Sequence, residues 1–186
     1  MEEIEVPLEG VQEEIHHHAE HSHSSGNPNE RWISFVALTS ALLAVFAAVT
    51  ALLSGHFANE AILEQMHATD SWSYYQAKSI KSMILTSKLE MLDSLKQTKN
   101  EADQEKLAEY KKELKETEEK AKELELQSQA FLKLHEIFAR GVTLFQVAIG
   151  IAAVAVLTRK KWFFYLGLGF GFFGTLFLLQ GLFLLK

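Results

Sequence analysis

The chain has 186 residues, a net charge of −6 and no cysteine, which excludes a disulfide framework, a thiolate metal site and a cysteine nucleophile. No basic stripe is interleaved with aromatics, so nothing points to nucleic acid. The apolar residues are not spread as a soluble core requires but gather in 31–55, 141–157 and 162–185, and a mean hydropathy near zero only averages two opposite compositions.

Residues 1–30 combine eight Glu with His, Ser, Gly, Asn and Pro28 and show little periodicity, which reads as a disordered acidic tail. Its chemical feature is the cluster His16, His17, His18, His21 and His23. Imidazoles attract zinc, copper or nickel, and His17 and His21 would share a helix face. A mobile run offers no second shell to hold such ligands, so weak metal attraction by a solvated tail is expected rather than a built site.

Residues 31–55 are long enough for roughly 20 residues to cross about 30 Å of hydrocarbon, and form transmembrane helix 1. A cleaved signal peptide fits poorly, since the preceding region is long and acidic. Ala37, Ala41, Ala44, Ala48, Ala51 and Gly55 alternate steps of four and three, so one edge of this helix is small. In lipid, where packing rather than hydrophobic drive joins helices, such an edge permits close approach.

Residues 56–140 form two helical arms of nearly equal length, an antiparallel hairpin standing roughly 60 Å tall at about 1.5 Å per residue. The first arm carries an apolar stripe through Ile62, Met66, Ile80, Met83, Ile84, Met91 and Leu95. Thr98 with Glu101 fits a capping box, and Asn100 suits the turn. The second arm holds a seam at Leu107, Tyr110, Leu114, Thr117, Ala121, Leu124, Ser128, Phe131, His135 and Phe138. The seam continues through Val142, Phe145, Ile149, Ala152 and Val156 with steps of three and four. One helix therefore passes from charged sequence into transmembrane helix 2, residues 141–157. Two seamed arms carry more apolar edge than one partner covers, which implies self-association.

A short loop with Arg159, Lys160 and Lys161 leads into transmembrane helix 3, residues 162–185, where Gly167 and Gly171 form a close-packing GxxxG pair. The positive-inside tendency places this loop, Arg31 and the N-terminus in the cytoplasm and the stalk outside. The expected fold is all-α: three transmembrane helices with a long helical-hairpin, coiled-coil stalk between the first and second.

In Asp70-Ser71-Trp72-Ser73-Tyr74-Tyr75-Gln76-Ala77-Lys78-Ser79-Ile80-Lys81 the chain resembles an uncharacterised family of bacterial membrane proteins, domain of unknown function 4337. In that family a similar run follows the first span and two spans close the chain. The resemblance covers most of the sequence from Arg31 onward and implies a small helical inner-membrane protein, with no activity, cofactor or catalytic residue attached. With a turn near Thr98, Trp72 should lie opposite residues 121–125, where Ala121 leaves room for an indole. Lys78 should then meet Glu118 or Glu119, and Asp70 caps the helix around Trp72. Trp72, Tyr74, Tyr75 and Lys78 form either an arm-to-arm clasp, the favoured reading, or a docking surface for a protein partner.

Three function classes compete. An enzyme needs convergent acid, base, nucleophile or ligands, and Asp70, Tyr74 and Lys78 along one helix are not a pocket. His135 reads as a satisfied seam residue ahead of a pH switch. Coupled transport wants ionisable groups within the spans and finds none, although an oligomeric, weakly selective channel lined by Thr50 or Gln146 stays open. An oligomeric scaffold or anchor in the membrane lipids, presenting a helical stalk and needing no cofactor, accounts for the seams, the matched arms and the missing chemistry together.

Overall fold

The computed structural model describes residues 28–98 and 100–185, and among them every regular element is an α-helix. Helix α1 spans Pro28–Ser94, α2 spans Glu101–Thr158 and α3 spans Lys161–Leu184. Each of the three is long and apolar enough over part of its length to cross a membrane. Helix α2 continues from its charged first half into its apolar second half without a break, as its unbroken seam predicts. Helix α1 starts at Pro28, slightly ahead of the expected boundary, because proline is well tolerated in a first helical turn, where its missing N–H has no partner to lose. The cluster His16, His17, His18, His21 and His23 lies outside the described residues. The chain divides into two units, one holding the described residues up to His56 and from Leu134, the other Phe57–Lys133.

In the first unit α1 turns Val36, Ser40, Leu43, Ala47, Thr50 and Ser54 inward. These residues meet Phe145, Ala148 and Ile149 of α2 around Leu43, and Ala152 and Ala155 of α2 with Phe164 of α3 around Val36. Helix α3 buries Phe164, Gly167, Gly171, Gly174, Leu178 and Gly181, a face made mostly of glycine. The phenyl rings of α2 fill the hollow that this face leaves. A Cβ on Gly174 would stand 3.0 Å from the Phe145 ring, and one on Gly181 would stand 2.5 Å from the Phe138 ring. The three helices converge at Gly141, where a Cβ would meet the Thr50 methyl at 3.3 Å and the Gly174 carbonyl at 3.5 Å. Many bulky residues face outward, among them Leu38, Leu42, Leu52, Phe172, Phe173 and Phe183. Close backbone approach at small residues, with bulky hydrocarbon on the outside, is compatible with lipid, where exposed hydrocarbon carries no penalty.

In the second unit the two arms pair through Phe57, Ala61, Ala68, Ser82 and Leu89 of α1. Phe57 stacks on Phe131 at 6.2 Å, and Ser128 Oγ donates to the Ala61 carbonyl at 2.8 Å. The seam read along α2 faces inward over its whole length, none of its residues being exposed. The apolar stripe of the first arm does not: Ile62, Met66, Ile80, Met83, Ile84, Met91 and Leu95 are all well exposed. The alanines beside them, Ala61 and Ala68, face the partner arm because small side chains let two backbones come close.

Helix α1 ends in a Schellman arrangement, with the Gln97 N–H on the Leu92 carbonyl, the Lys96 N–H on the Asp93 carbonyl, and Lys96 at a left-handed φ of 52°. The capping box expected of Thr98 and Glu101 does not form. Asn100 is the cap, its Oδ1 accepting from the Ala102 N–H at 3.1 Å, so α2 starts one position after the asparagine.

Candidate functional site

The aromatic run lies in the middle of α1, within the hairpin unit. Trp72 is half-buried, donates from Nε1 to Glu125 Oε1 at 2.9 Å and meets the Tyr75 ring edge-on at 5.5 Å. Ala121, in the stretch expected opposite the indole, is fully buried. Asp70 is exposed within an unbroken helix and caps nothing.

Lys78 pairs with Glu113, not with Glu118 or Glu119. The same carboxylate accepts from the Tyr74 hydroxyl at 3.2 Å, and the ammonium stands 4.6 Å from the centre of the Tyr110 ring. Glu118 is taken by Lys122 on its own helix. Lys88 reaches Asp103 at 2.6 Å, so the first turn of α2 lies alongside Lys88, the same offset that brings Glu113 to Lys78, while Trp72 still finds its partner in Glu125.

The hydrogen bond to Glu113 raises the pKa of Lys78, and the same bond lowers that of Glu113, with Tyr74 assisting in both cases. The group is a knot of one cation, one anion and two phenols from two helices. Among the described residues no set of three or more His, Asp or Glu converges to hold a metal. Beside the knot, Ile62, Gln65, Met66, Thr69 and Asp70 line a shallow apolar groove on the outer side of α1.

In the first unit the small edge of α1 divides. Ala37 is buried, Ala41 and Ala44 are half-buried, and Ala48 and Ala51 are exposed. The edge that packs inside the chain runs one residue earlier, through Ser40, Leu43, Ala47 and Thr50, about 100° around the helix. Gly167 and Gly171 both face inward, where a Cβ would lie 3.1 Å from the Ala148 carbonyl and 2.8 Å from Leu43 Cδ2 respectively.

Thr50 is fully buried and its hydroxyl donates to the Phe46 carbonyl at 2.6 Å, so the packed interior of a single chain takes it up. Gln146 is half-buried on α2. His135 Nδ1 lies 2.9 Å from the Ser54 carbonyl and 3.0 Å from Ser54 Oγ. Because a carbonyl only accepts, Nδ1 carries the proton in this contact, and the Ser54 hydroxyl donates back to the His135 carbonyl at 3.3 Å.

Sequence reading missed Glu113 and Tyr110 as members of the knot, and the pairing of Phe138 with Gly181. Spacing alone held a clue to the last: Gly167, Gly171, Gly174 and Gly181 all fall on one face of α3.

A family model described as a domain of unknown function (DUF4337) matches residues 32–184, and the chain belongs to that family. No curated protein and no solved structure matches it.

Proposed function

We propose that this member of the family is an oligomeric integral membrane protein, a scaffold or anchor that displays its helical hairpin and performs no chemistry of its own. One observation carries the reading: the stripe Ile62, Met66, Ile80, Met83, Ile84, Met91 and Leu95 is apolar, helically spaced and exposed on an otherwise charged hairpin. A water-facing helix with a second apolar face is built to meet another helix. Coiled-coil association of copies through that face is the arrangement proposed, with a protein partner on the same stalk as its further use. The membrane is proposed to be the bacterial inner membrane, with the N-terminus cytoplasmic and the hairpin outside. The channel reading loses support from Thr50, which is enclosed within one chain.

The test is the mass of the full chain in nanodiscs, with and without Ile84→Asp and Met91→Asp. A wild-type oligomer that falls to monomers while helix content is kept is the expected result. A wild-type monomer, or an oligomer indifferent to both substitutions, overturns the proposal. A parallel Ala48→Leu variant reports whether the exposed part of the small edge joins copies within the bilayer.

A further inference from the structure

Four cations stand together at one end of the three-helix unit. The edge-on contact of Trp32 with Phe164, 6.5 Å between ring centres, brings the start of α1 beside the start of α3. The cluster of Val36, Ala155 and Phe164 brings the end of α2 to the same place. Arg31, Arg159, Lys160 and Lys161 are all exposed there, and no ion pair engages them among the described residues. Glu30 precedes Arg31 in the sequence; beyond it the acid among the described residues of this unit is Glu136, which pairs with Arg140 and lies 23 residues before Arg159 along α2, about 35 Å away at about 1.5 Å per residue.

The backbone adds to this charge. Only Arg159 and Lys160 separate α2 from α3, with Arg159 at a left-handed φ of 53°. Lys160, the N-cap of α3, makes no side-chain capping bond; the Phe163 N–H turns back to the Lys160 carbonyl at 3.3 Å, which leaves the Lys161 and Trp162 N–H groups of a 24-residue helix beside the four cations. Apolar surface is continuous with the patch: Leu157, Trp162 and Tyr165 are 75%, 71% and 65% exposed. A soluble anion or an acidic peptide would use the charges and leave this hydrocarbon and these amphipathic rings in water. A molecule with an anionic phosphate above acyl chains uses both.

We infer that this end of the unit holds the headgroup of an anionic phospholipid, the phosphate against Arg31, Arg159, Lys160 and Lys161 and the chains along Leu157 and Trp162. The inference rests on the membrane-spanning reading of the unit.

The experiment uses the full chain with Trp32→Phe and Trp72→Phe, which leaves Trp162 as the single tryptophan of the three. The protein is reconstituted in vesicles containing brominated phosphatidylglycerol or brominated phosphatidylcholine, and quenching of Trp162 gives the relative affinity of the two lipids. A several-fold preference for phosphatidylglycerol is expected, falling with added salt and falling to near unity in Arg159→Gln/Lys160→Gln/Lys161→Gln. Each cation contributes up to about fivefold. Arg31→Gln, in another helix, should lower the preference by itself if the triple variant fails to fold.

Equal quenching by both lipids overturns the inference and leaves the membrane reading standing. Quenching by neither overturns both. A preference indifferent to salt and to the substitutions also overturns it. So does one that is absent from the full chain and gained only when residues 1–27 are removed, which would assign the surface to the chain's own acidic segment.

Discussion

The ring of Phe138 lies over Gly181, so close that a single added methyl group would come within 2.5 Å of it. Phe138 is fully buried, so its ring has little freedom to retreat. Gly181→Ala should therefore destabilise the bundle by about 1–3 kcal/mol through overpacking. Gly150→Ala and Gly169→Ala have open space around the new methyl and should be neutral or stabilising by up to about 1 kcal/mol, since alanine is the better helix former. Unfolding in a mixed-detergent titration separates the two classes. Equal effects at Gly181 and Gly150 would contradict the packing described.

Phe138 was legible as a seam residue and Gly181 as one of several glycines, yet their meeting was not. The contact joins two helices, and no periodicity within either one reports which ring enters which hollow. The same limit explains Lys78. Its charge and its helical face could be read, but its partner depends on where α2 comes alongside α1, an offset that the Lys88–Asp103 pair shares. The seam of α2 was readable from end to end because every third or fourth residue carries it. The inner face of the first arm was not, because Ala61, Ala68 and Ser82 are too small to stand out beside Ile62, Met66 and Met83.

Trp72 and Glu125 should be energetically coupled. In a double-mutant cycle with Trp72→Phe and Glu125→Ala, which removes the indole donor while keeping most of the ring, a coupling of about 0.5–1.5 kcal/mol is expected from the hydrogen bond. Additive effects in thermal unfolding would show that the indole is held by packing alone.

The knot around Glu113 predicts a pH dependence with a definite sign. The folded-state pKa of Glu113 lies below its unfolded value, so its contribution to stability is complete above the ordinary carboxylate range and disappears as pH falls through the lowered value. Lys78 is raised, so its contribution is complete below the ordinary lysine range and disappears as pH rises through the raised value. Between these limits the pair should leave stability flat. Glu113→Gln should remove part of the acid-side loss seen by circular dichroism, and an unchanged acid limb would refute the role given to this carboxylate.

Lys96 holds a left-handed conformation that L-residues other than glycine and asparagine adopt at a cost. Lys96→Gly should stabilise the hairpin by about 1 kcal/mol, read as a rise in melting temperature, because the Schellman bonds from Gln97 and Lys96 use only backbone atoms and survive the change. A fall in melting temperature would mean that the lysine side chain contributes more than its strained backbone costs.

On the membrane-spanning reading, the glycines and alanines packed beside the buried rings of Phe138 and Phe145, with bulky residues facing outward, invert the usual pattern of mutational tolerance. In a water-soluble helical protein the outside drifts freely in polarity and the inside exchanges one large aliphatic for another. Here Leu38, Leu52, Phe172 and Phe183 can trade places with almost any bulky apolar neighbour, whereas Ala47, Ala148 and Gly174 accept almost nothing larger. A comprehensive substitution scan would resemble a photographic negative of the soluble case. Beside the buried rings, the residues it marked as irreplaceable would include those with the least side chain to lose.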